Sequence, residues 1–68
     1  MAKLDVKFPE IQVPLVGEDG NAFMIIGRVA RALRRAGEAK AAEEFTEEAM
    51  KGDYDHVLQT VLRYVDVT

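Results

Sequence analysis

The sequence predicts a mainly α-helical domain in which one N-terminal extended segment precedes three helices. Three observations carry that expectation. Apolar and polar residues alternate at period two near the start, the mark of extended chain. From Ala22 onward apolar residues recur at helical spacing instead. Glycines at 37 and 52 then divide the helical stretch into three pieces, each glycine standing where a helix stop is expected. With 68 residues and no linker-like stretch, the whole of 1–68 reads as one small domain.

The first element is an extended arm or strand over residues 1–16. Leu4, Val6 and Phe8 share one parity, whereas Ile11, Val13 and Leu15 share the other. The phase slips at Pro9, and neither Pro9 nor Pro14 can donate to a ladder, so the segment reads as an edge strand or one broken by a bulge. A hairpin at Pro9-Glu10 is disfavoured, because tight hairpin turns want residues that accept positive φ. With no second strand evident, the arm is expected to pair with its copy in another subunit or to lie across a neighbour's helices.

Turn chemistry follows at 17–21, and Asn21 is suited to cap a helix over 22–36 that ends at Gly37. On this helix Ala22, Ile25, Ile26, Val29, Leu33 and Ala36 fall on one half of the wheel. Arg28, Arg31 and Arg35 cluster within about 60° on the other side, flanked by Arg34. A second helix over 38–51 has a narrow stripe of Ala41, Ala42, Phe45 and Ala49, with Glu43, Glu44, Glu47 and Glu48 on its far side. The third helix, 53–65, is capped by Asp53 and has Asp55 in its first turn. It presents Val57, Leu58, Val61, Leu62, Tyr64 and Val65 as a broad apolar face and is expected to fray over 66–68. The expected core is Ile25, Val29, Leu33, Phe45, Val57, Leu58, Val61, Leu62 and Val65.

Composition closes off several chemistries. The chain has no cysteine and one histidine, so disulfides and most structural zinc sites are excluded. Serine is also absent, which removes the usual nucleophile arrangements. His56 lies on the polar side of the third helix and reads as a solvated side chain near the helix start. Carboxylates are plentiful, yet no spacing singles out an acid/base pair, and no catalytic residue is assigned. The Glu18-Asp19-Gly20-Asn21 run lacks the alternation and distal glutamate of a calcium loop. Gly17 and Gly20 before a helix lack the lysine or third glycine of a phosphate loop, and Glu18 and Asp19 would repel a phosphate. No metal and no cofactor are therefore expected.

Apolar residues make up 49% of the chain, too many for a disordered one. Apolar runs are short, and the start shows no export signal, so a protein without membrane association and in the cytoplasm is expected. Folding at this size removes about 6,700 Å² from water. If about 60% of that is apolar it supplies roughly 100 kcal/mol, against a conformational entropy cost of similar size. The difference is near zero, so a homo-oligomer is expected, most simply a dimer.

The arginine ridge is the most informative feature. Arg28, Arg31 and Arg35 stand at i, i+3 and i+7, and a planar guanidinium suits phosphate or carboxylate. One reading pairs the ridge with the glutamate face of the second helix, within the subunit or across an interface. The other makes it an anion site for a phosphate-bearing ligand or nucleic acid. The net charge of −3 opposes long-range attraction to duplex DNA, whereas a local site needs no global field. No aromatic residue interleaves the three arginines.

Several strings carry a resemblance: Gly20-Asn21-Ala22-Phe23, the run from Arg31 to Gly37, Glu48-Ala49, the run from Gly52 to His56, and Leu58-Gln59-Thr60-Val61. Together they resemble a set of small uncharacterised proteins of bacteria and phages, over residues from about 11 to 67. The resemblance implies a compact helical protein and transfers no catalytic role. A phage setting would imply a host or phage protein as partner. The functional expectation is a small non-enzymatic binding or interaction module.

Overall fold

The computed structural model describes residues 6–15 and 21–68. Its elements run β1 (Phe8–Val13), α1 (Ala22–Arg35), α2 (Ala39–Ala49), α3 (Tyr54–Tyr64) and β2 (Val65–Val67), so the domain is mainly α as the periodicities indicated.

The helix boundaries follow from local chemistry. The Asn21 side chain accepts from the amides of Phe23 (2.9 Å) and Met24 (3.2 Å), satisfying two of the donors that every helix start leaves free. At the other end Gly37 takes φ 85°. The Glu38 amide donates to the Leu33 carbonyl at 2.8 Å, and the Gly37 amide to Arg34 at 3.0 Å. That pair of bonds is the Schellman closure, which needs a left-handed residue. Asp53 caps α3 by accepting from the His56 amide at 3.0 Å. Each helix is slightly shorter than the sequence implied, because these caps lie outside the helical residues themselves.

Two expectations are corrected at the chain ends. The extended segment does have a partner within its own chain over Phe8–Val13, since β1 pairs in parallel with β2, while residues 1–5 and 16 of the expected arm lie outside the described residues. The third helix does not fray over its last residues either. It stops at Tyr64, and Val65 turns to φ −134° and ψ 169°. Val65-Asp66-Val67 alternates with β-branched residues at both ends, which suits a strand with one face buried. The Lys7 amide donates to Arg63 at 2.9 Å and the Thr68 amide to Val13 at 3.1 Å, so bonds bracket the ladder at both ends. The register pairs Phe8 with Val65, Gln12 with Asp66 and Val13 with Val67, with an irregularity between Phe8 and Gln12. The extra residues of β1 include Pro9, which accounts for the phase slip in the sequence. No hairpin forms at Pro9-Glu10.

The core joins all five elements. Ile11 and Val13 come from β1, five residues headed by Val29 and Leu33 from α1, and Ala42, Phe45 and Ala49 from α2. Val57, Val61, Tyr64 and Val65 complete it. Phe45 meets Tyr64 edge to face, with ring centroids 5.4 Å apart. Of the nine expected core residues, Leu58 is only half-buried and Leu62 is 57% exposed. The reason is that β1 and β2 already cover part of the domain, so α3 buries a narrower face than its pattern suggested. Thr60 takes an inward position instead, and its hydroxyl donates to the His56 carbonyl at 2.7 Å.

Candidate functional site

The outward face of α1 is set by what its inward face buries. Ile25, Ile26, Val29, Ala30 and Leu33 are committed to the core. Helical geometry then turns Phe23, Gly27, Arg31 and Arg35 outward along a single i, i+4 row, with Met24 and Arg28 beside it. On β1 the pleat sends Ile11 and Val13 inward and leaves Gln12 and Pro14 exposed. Between these surfaces lies an open groove of 430 Å³. Arg28, Arg31 and Arg35 line it from α1, and Gln12 and Pro14 line it from the end of β1. The structure therefore brings all three ridge arginines to one concave surface.

The described residues that line the groove include three arginines and no acid. Among the described residues, no ion pair joins Arg31 or Arg35 to the glutamates of α2. Glu48 instead bonds with Lys51 at 3.5 Å and faces His56 at 3.4 Å. The reading in which the ridge is neutralised by α2 of the same chain thus finds no such pair at Arg31 or Arg35. A ligand here would meet guanidinium groups, the Gln12 amide and apolar surface from Phe23, Met24 and Pro14. Such a surface recognises anions by charge-assisted hydrogen bonds. It holds no nucleophile or proton-transfer pair among the described residues that line it.

His56 stands elsewhere and is not the freely solvated side chain the helix pattern suggested. Its Nε2 lies 2.9 Å from the Glu48 carbonyl, which can only accept, so Nε2 carries the hydrogen. The imidazole satisfies a carbonyl near the end of α2 and ties that end to the start of α3. Gly52 makes room for it, since a Cβ there would approach the His56 Cβ and Cγ at 2.8 Å.

The described residues include no group of three His, Asp or Glu side chains arranged to hold a metal. The acidic turn at 18–20 and the glycines at 17 and 20 lie outside the described residues. Among those described, no helix is long and apolar enough to cross a membrane.

Sequence reasoning missed two contributors to the groove. Phe23 is 72% exposed at its mouth, although no aromatic residue lies between the arginines in sequence. The signal was the four-residue interval linking Phe23 and Gly27 to Arg31. The end of β1 was the other, and only long-range packing places it beside α1.

No protein-family model matches this chain, and comparison with curated proteins and with solved structures likewise returns no match.

Proposed function

We propose that the protein is a non-enzymatic binding module whose groove between α1 and β1 takes an anionic, phosphate-bearing ligand. The observation that carries this reading is the convergence of Arg28, Arg31 and Arg35 on one open concavity of 430 Å³. That volume falls in the range of small-ligand clefts. The net charge of −3 does not oppose it, because recognition rests on short charge-assisted contacts rather than on the field of the whole molecule. Isothermal titration with inorganic pyrophosphate at low salt tests the reading. Arg31→Glu is expected to abolish binding while leaving the melting temperature within a few degrees, since Arg31 is exposed. Unchanged pyrophosphate affinity in this variant would refute it.

A second reading, in which the interaction is with another copy of the chain, has its own support. Leu62 is exposed and, with Leu15, Leu58, Val61 and Val67, lines an apolar hollow of 330 Å³. Burial and chain entropy nearly cancel at this length, so covering that hollow would add stability the isolated domain lacks. The two readings use different surfaces and are compatible. A bacterial or phage setting, with a host or phage protein as partner, belongs to the same proposal and rests on the strings quoted above alone.

A further inference from the structure

We infer that the occupant of the groove is single-stranded nucleic acid, its phosphates on the arginine ridge and its bases on Phe23 and Tyr54. The inference rests on reading the groove as an anion site and adds three observations. First, Phe23 is 72% exposed and borders two concavities at once. On one side is the arginine groove. On the other is a smaller hollow of 170 Å³ shared with Met50 and Tyr54, which is also exposed. Two accessible aromatic side chains thus border the same hollow, one of them also beside the arginines, and both offer faces on which bases can stack.

Second, Gly27 occupies the middle of α1 with no fold-level reason to be glycine. A Cβ built there meets nothing within 4 Å, and its φ is not left-handed. A helix-interior glycine of this kind is a net cost to the helix. Gly27 stands one turn from both Phe23 and Arg31 on the groove floor, where it leaves the helix backbone open to a flat ligand.

Third, the arginines are spaced to follow a backbone. Arg28, Arg31 and Arg35 rise about 4.5 Å and 6 Å from one to the next along the helix axis. Their Cα–Cβ bonds tilt toward the helix N-terminus, and so toward Phe23. Duplex is disfavoured because its bases are stacked inside and cannot reach the two rings. An acidic peptide would also satisfy the arginines, so polyglutamate, which offers carboxylates without rings, is the competitor that separates the two.

Fluorescence anisotropy with a labelled short oligothymidylate tests the inference, with pyrophosphate, a mononucleotide and polyglutamate as competitors. Two engaged phosphates, at Arg31 and Arg35, predict a slope of log K against log salt of about −1.4. Phe23→Ala and Tyr54→Ala should each weaken the oligothymidylate about tenfold and leave pyrophosphate unaffected. Gly27→Leu should raise the melting temperature while weakening the oligonucleotide. All three positions are exposed, and matching circular dichroism spectra confirm that each variant folds. If polyglutamate competes as well as oligothymidylate, or Phe23→Ala changes nothing, the nucleic-acid inference falls while the anion groove stands. A mononucleotide binding as tightly as the oligothymidylate overturns the strand as occupant. If Arg31→Glu alters no polyanion's binding, both readings fall together.

Discussion

Gly52 and His56 show how one missing side chain can hold two helices in place. The imidazole reaches the Glu48 carbonyl because position 52 has no Cβ to block it. Gly52→Ala should therefore push His56 aside and remove its bond to that carbonyl, which keeps only the Lys51 amide at 3.2 Å, destabilising the fold by about 1–3 kcal/mol in urea unfolding. Tyr64 gives a second prediction at this scale. Burial, reinforced by the Glu44 and Glu48 carboxylates, raises its pKa above the ordinary 10.0. The folded state thus favours the neutral phenol more than the unfolded chain does. The contribution of Tyr64 is fully present below pH 10 and is lost as pH rises through the folded-state value. Unfolding free energy measured from neutral to strongly alkaline pH should fall above pH 10, and Tyr64→Phe should remove that part of the fall. Lys7 lies 5.5 Å from the centre of the Tyr64 ring, so the aromatic face is also a cation site that Phe would preserve.

Among the elements, the two short strands have the sharpest consequence. A frayed helix end could be deleted at little cost, whereas β2 closes β1 over the core. Removing residues 66–68 should cost about 2–4 kcal/mol by denaturant titration, from lost ladder bonds and uncovered apolar surface. A cost near zero would mean that the strand pair contributes nothing to folding. The helices were legible beforehand because their signals are local: Asn21, Gly37 and Asp53 act within a few residues of themselves. β2 was not, since Val65 also continues the helical spacing of Val57, Leu58, Val61 and Leu62. Three alternating residues are too few to outweigh that pattern, and their partner lies at the opposite end of the chain. Leu62 was misplaced for a related reason. Helical periodicity ranks positions on a wheel, but the width of the buried face depends on what the rest of the chain covers.

At the scale of the whole molecule, the exposed area of 4,537 Å² is close to the roughly 4,300 Å² expected for a folded chain of this mass. Intrachain pairing gives β1 a partner on one edge without an exchanged arm. The hollow around Leu62 is the apolar surface on which the second reading rests. Light scattering over a dilution series should give a mass above 7.6 kDa at high concentration, and Leu62→Glu should return it to the monomer. A monomer mass at every concentration would refute the second reading and leave the arginine groove untouched. The candidate site divides in the same way. The arginine ridge is visible in the spacing of one helix, while its status as a groove depends on β1, which reaches it only through the fold.

The sequence by itself determined the helices, the caps at Asn21, Gly37 and Asp53, and the arginine ridge, because each follows from residue identity and from spacings of a few positions. Only the tertiary structure decided that the first and last segments pair, that Leu62 faces outward, and that Phe23 and the arginines border one concavity. Those outcomes depend on contacts between residues far apart in the chain, where the energy of a pairing is shared between two segments and is written in neither alone.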